Sequence, residues 1–150
     1  MGLRFNIALA AGILAIGPVQ AVLADPLADG QMAAEHGDYG LAMRLWRPLA
    51  DRGNVAAQYD LGVMYADHRG VPQSYARAME WYRRAADGRY AKAQHALGDM
   101  YYLAVGVPQD YTRAAFWYRR SADQGFALGQ GSLAVMYENG FGVSQDNVLA

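Results

Sequence analysis

The sequence repeats itself every 36 residues. Val55 to Tyr65 reads VAAQYDLGVMY, Ala91 to Tyr101 reads AKAQHALGDMY and Ala127 to Tyr137 reads ALGQGSLAVMY, with no insertion between copies. The same offset carries Gly70, Val71 and Gln73 onto Gly106, Val107 and Gln109, then onto Gly142, Val143 and Gln145. It also carries Trp81, Tyr82, Arg83 and Arg84 onto Trp117, Tyr118, Arg119 and Arg120. A period of this length means that one small unit stacks on copies of itself, because a single unit cannot bury its apolar face alone.

Apolar spacing resolves each copy into two helices. Ala57, Leu61, Met64 and Tyr65 stand at i, i+4, i+7 and i+8, one face of a helix of about 3.6 residues per turn. Ala78, Trp81, Tyr82 and Ala85 do the same for a second helix. Between them Gly70 supplies a helix-ending positive φ, Val71 drops back into the groove and Pro72 forbids simple continuation, so the spacing predicts a loop of about six residues. Ser74, Asp110 and Asp146 stand where a side-chain oxygen caps the second helix.

The pattern extends backwards in degenerate form. Tyr39, Ala42, Trp46, Ala50 and Asp51 fall one period before Tyr75, Ala78, Tyr82, Ala86 and Asp87. Their partner helix is expected over Pro26 to His36, capped by Asp25, with Pro26 at its first position and a tight turn at Gly37 and Asp38. Pro48 is expected to kink the second helix near its end. The domain reading is a degenerate pair over 25–53, repeats over 54–89 and 90–125, and a partial repeat over 126–150: an all-α solenoid of antiparallel helix pairs.

Residues 1–24 read differently. Arg4 is their only charge, an apolar run spans Ile7 to Gly17, and Pro18 precedes small residues ending at Ala24. That is the plan of a cleavable signal peptide, with a cut expected after Ala24 and a second choice after Ala21. The run is shorter than the roughly 20 residues of a bilayer span, so no membrane insertion of the mature chain is expected. Without Arg4 the 13 basic residues become 12 against 14 acidic ones, a balance that does not attract nucleic acid. The chain has no Cys, which removes disulfides, thiolate metal sites, a cysteine nucleophile and the usual bacterial lipid anchor. A periplasmic or secreted location follows as the expectation.

The residues LGVMY, RGVPQSYARAMEWYRRAAD, LGDMY and GVPQDYTRAAFWYRRSADQG resemble the Sel-like repeat family, a tetratricopeptide-like class of solenoids. The resemblance covers Ala56 to Ala150 closely and reaches back to about Pro26 more loosely. It implies a right-handed superhelix acting as a scaffold or regulator in protein complexes. One departure is visible: the two loop glycines, present as Gly140 and Gly142, are reduced to one where His68 and Ala104 stand. A second is the missing cysteines, which set the chain apart from the cysteine-rich secreted branch, some members of which have been linked to penicillin binding or β-lactam hydrolysis.

No residue set carries catalysis by spacing. His36, His68 and His95 are scattered, with no HxxxH or HExxH, so neither a metal site nor a cofactor is assigned. Ser74, Ser121, Ser132 and Ser144 lie in no GxSxG or SxxK setting, and no nucleophile is assigned. Asp60 and Asp99 come from different repeats and could face one another, yet a polar position facing solvent accounts for each of them without catalysis. The tandem arginines suit helix ends, where they complement the dipole and could pair with Asp87 and Asp123. Trp81, Tyr82, Trp117 and Tyr118 repeat at core spacing and are read as packing.

Positions that differ between copies are free to specialise, whereas repeated ones serve stacking. On the first helices the differing stripe, expected to be exposed, holds Tyr59, Asp60, Val63 and Ala66, then His95, Ala96, Asp99 and Tyr102, then Gly131, Ser132, Val135 and Glu138. First helices line the concave face in tetratricopeptide-like solenoids, so a protein or peptide partner is expected along Tyr59, Asp60, Val63, His95, Asp99 and Tyr102. Other readings are a cell-wall-directed enzyme and a spacer segment of a longer protein. The sequence stops at Ala150, where the second helix of the third copy should begin. Leu133, Met136 and Tyr137 are therefore expected to lack cover, either because the chain is a fragment or because a partner or second copy covers them by self-association.

Overall fold

A computed structural model describes residues 25–143. The signal-peptide reading and the Asp146 cap lie outside the described residues. Among those residues seven helices follow one another: α1 (Pro26–Glu35), α2 (Tyr39–Asp51), α3 (Val55–Ala66), α4 (Tyr75–Asp87), α5 (Ala91–Tyr102), α6 (Tyr111–Ala122) and α7 (Ala127–Asn139). Consecutive helices pack on each other, and α5 also touches α7 across the face of the first helices. The result is an all-α solenoid of helix pairs.

The expected punctuation is in place. Asp25 accepts from the amides of Leu27 and Ala28, Asp38 from Leu41, Ser74 from Arg77 and Asp110 from Arg113. These caps satisfy amides that a helix leaves free at its start. Pro48 sits inside α2, which runs on to Asp51.

The loops within repeats run over eight residues, 67–74 and 103–110, longer than the six predicted. The extra length is organised: the Ser74 amide donates to Tyr65 O and the Asp110 amide to Tyr101 O, each at 3.0 Å. Gln73 and Gln109 reach back from the loop to the carbonyls of Ala66 and Tyr102. His68 and Ala104 both adopt φ 57°, close to the 65° of Gly140 at the equivalent position. The missing glycines therefore leave the loop conformation unchanged and its strain in place.

Repeated positions form the core. Leu61, Leu97, Ala57, Ala93, Ala78 and Ala114 are fully buried, and Trp81, Tyr82 and Tyr118 are nearly so. Trp117 is half-buried. Burying one such leucine stabilises by about 1.5–3 kcal/mol. Glycines set how closely the helices of a pair approach: a Cβ on Gly62 or Gly98 would stand 2.5 Å from Cδ1 of Tyr82 or Tyr118. The glycine in LGVMY and LGDMY is thus the seat of the aromatic ring from the facing helix. Met136 is buried within the core cluster, contrary to the expectation that it lacks cover; Leu133 and Tyr137 are half-buried.

A glutamine joins each repeat to the one before it. Gln58 Nε2 donates to Ala50 O at 2.9 Å and Gln94 Nε2 to Ala86 O at 3.1 Å, both side chains being buried. These bonds tie a first helix to the final turn of the preceding second helix, the carbonyls of Ala50 and Ala86 accepting the glutamine in addition to the amides of Gly53 and Arg89.

Candidate functional site

The six residues expected to meet a partner all lie on first helices, Tyr59, Asp60 and Val63 on α3 and His95, Asp99 and Tyr102 on α5. All six are half-buried, not exposed; along the stripe only Gly131, Val135 and Glu138 of α7 are exposed. The reason is aromatic crowding. Tyr59 packs on the rings of Tyr82 and Tyr90, and Tyr102 packs on Tyr111, Tyr118 and Phe141. Burial pushes the Tyr59 and Tyr90 hydroxyls upward, the nearby Asp60 charge adding to the effect.

The two aspartates occupy separate surroundings. Asp99 accepts from the Tyr118 hydroxyl at 2.7 Å on one oxygen and faces His95 Nδ1 at 3.2 Å with the other. Nε2 of the same imidazole lies 3.0 Å from Ser132 Oγ on α7. The carboxylate can only accept, so Nδ1 carries the hydrogen that faces Asp99. Sequence spacing missed this chain because His95 and Ser132 stand one repeat plus one residue apart; a search at that offset finds them. Desolvation of the Tyr118 ring, reinforced by Asp99, raises its hydroxyl strongly.

Asp60 instead borders a cavity of about 220 Å³ between α1, α2 and α3, with Gln31, Glu35, Tyr39, Trp46, Val63 and Arg69 also on its wall. Its Oδ2 is shut off from solvent and has no hydrogen-bond partner. Burial lifts this carboxyl above its ordinary range, opposed by the Gln31 amide and the Lys92 charge. At the wall Arg69 is engaged by Asp67 at 2.8 Å.

The second helices carry the opposite charge. First helices α1, α3, α5 and α7 hold Asp29, Glu35, Asp60, Asp99 and Glu138 against Lys92 alone. Second helices α2, α4 and α6 hold eight arginines against Asp51, Glu80 and Asp87. None of the ion pairs among the described residues uses Asp87 or Asp123, which corrects the expected arginine pairing. The guanidiniums lie over rings instead, Arg84 on Trp81, Arg77 on Tyr65, Arg113 on Tyr101 and Arg120 on Trp117, while Arg83 donates to the Tyr101 hydroxyl. A planar, weakly hydrated cation gains more over an aromatic face than from an exposed carboxylate.

No group of His, Asp or Glu among the described residues is arranged to hold a metal ion.

Repeats of this geometry define a solenoid whose first helices carry an excess of acidic side chains. The Sel1 repeat model matches residues 20–54, 55–90, 91–126 and 127–150. The chain belongs to the Sel1 repeat family. Members generally mediate protein–protein interaction, and the family is typically non-catalytic.

A protective antigen present in uropathogenic Escherichia coli strains, displaying an SLR fold, is 35% identical over 81% of this chain and 27% of its own, with a TM-score of 0.77. A Sel1 repeat protein from Oxalobacter formigenes is 28% identical over 79% of this chain and 49% of its own, with a TM-score of 0.76. The chain thus spans half or less of these similar structures. No curated protein matches it.

Proposed function

We propose that the protein is a non-catalytic interaction module of the bacterial envelope, binding a protein partner along the concave face of its first helices. The observation that carries this reading is the division of the solenoid. The apolar residues that repeat are mostly buried, while the positions that vary between copies lie half-open on the first helices, whose net charge is opposite to that of the second helices. Export rests on the tripartite plan of residues 1–24, and the related E. coli protein, being a protective antigen, supports it.

Photo-crosslinking residues at Glu35, Val63 or Val135, on first helices, should capture the partner in the native host, whereas the same probe at Arg77, Arg113 or Phe116 should not. Capture from the second helices alone would overturn the assignment. Export predicts a mature amino terminus at Asp25 in the periplasmic or extracellular fraction, and a full-length chain held in the cytoplasm removes it.

One observation favours a second reading, acyl transfer. The order Ser132, His95, Asp99 is that of a hydroxyl nucleophile, its base and an orienting carboxylate. Against it, Ser132 lies within α7, where backbone amides are committed to the helix and offer no oxyanion site. A fluorophosphonate that labels the native chain but not Ser132→Ala or His95→Ala would establish this reading, and no labelling dismisses it.

A further inference from the structure

The cavity between α1, α2 and α3 has features that stacking alone does not explain. Its volume of about 220 Å³ is walled by the Tyr39 and Trp46 side chains and by Gln31, Glu35, Asp60 and Arg69. Within that wall Asp60 keeps one carboxylate oxygen without a hydrogen bond. A buried acceptor left unpaired costs free energy, and folded chains keep few of them. The Arg69 charge is already met by Asp67, so Asp60 and Glu35 leave the cavity with an excess of negative charge. Aromatic walls beside carboxylates that take part in no ion pair among the described residues make a receptor for a cation with an apolar stem.

We infer that this cavity receives a lysine or arginine side chain of the protein partner, its cationic head bonding to Asp60 and its stem lying against Tyr39 and Trp46. The inference rests on the first-helix face being the binding face, and it adds the chemistry of the residue recognised there. The first helices together carry five carboxylates against one lysine, so their net charge favours the same sign of ligand.

The probes are N-acetyl-arginine methylamide and its uncharged isostere N-acetyl-citrulline methylamide, titrated into the full chain while amide resonances are followed by NMR. The arginine probe should shift Ala34, Tyr39 and Val63, and the citrulline probe should bind about tenfold or more weakly. Asp60→Asn should reduce arginine binding by about tenfold, and Glu35→Gln, at an exposed position, by about twofold. Unchanged resonances in α5 and α6 certify that each variant is folded; should Asp60→Asn fail that control, the paired probes on the native chain and Glu35→Gln decide. Equal binding of the two probes, shifts confined to other helices, or no shifts at all would overturn the inference. If the probes fail while crosslinking from Val63 still captures the partner, the first-helix reading stands and only the basic-side-chain assignment falls.

Discussion

Three residues without glycine's freedom adopt left-handed backbone: His68 at φ 57°, Arg89 at φ 63° and Ala104 at φ 57°. Each stands where another copy has glycine, Gly140 for the first and third and Gly53 or Gly125 for Arg89. Ala104→Gly should therefore stabilise the fold by about 0.5–1 kcal/mol in urea denaturation, strain relief exceeding the extra freedom gained by the unfolded chain. His68→Gly should gain less, because the His68 ring accepts from the Gln73 amide at 3.1 Å and the variant loses that bond. Asp60 gives a prediction in pH. Its folded pKa is raised above 3.8 by burial, so the folded state binds the proton more tightly than the unfolded one. Its contribution to stability therefore worsens as pH rises from the ordinary carboxyl value through the folded one. Asp60→Asn should raise the melting temperature at neutral pH, and the gain should vanish below the ordinary carboxyl range; a gain that persists in acid contradicts this sign. The strained positions were legible as glycines missing from a pattern, because copies of one unit share backbone angles. The orphaned oxygen of Asp60 was not legible, since its isolation depends on the degenerate α1–α2 pair, for which no copy offers a comparison.

At the level of the helix, the pairing device is a first-helix glycine under a second-helix ring. Gly98→Ala places a methyl group against Tyr118 and should cost about 1–3 kcal/mol in denaturant melts, from overpacking. The buried glutamines act between pairs. Gln94 uses both ends, donating to Ala86 O and accepting from Gln124 Nε2 at 2.6 Å, whereas Oε1 of Gln58 has no partner. Gln94→Ala should thus cost about 1–3 kcal/mol and Gln58→Ala less, measured in the same melts. Helix boundaries, caps and the apolar faces were readable because spacing and capping chemistry are local. The stacking of arginines on rings was not, since it depends on which guanidinium the facing helix brings over an aromatic. For the same reason the expected exposure of Tyr59 and Tyr102 gave way to half-burial: their cover comes from Tyr82, Tyr90, Tyr111 and Phe141, on other segments of the chain.

Across the whole molecule each repeat touches little beyond its neighbours, so stability should be distributed along one dimension. Hydrogen exchange followed by mass spectrometry should show that Gly98→Ala loosens α5, α6 and the adjoining helices while leaving protection in α1 and α2 nearly unchanged. Uniform loosening would mean that the solenoid unfolds as one block. The glutamine joint has a consequence for descent as well as for stability. Because Gln58 and Gln94 grip only the carbonyl of the preceding pair, a unit of 36 residues can be duplicated or deleted in frame with every remaining joint intact. Related chains of quite different length then become variations in the number of rungs, and selection can change a solenoid's reach by recombination while point substitutions on the varying face change what it holds.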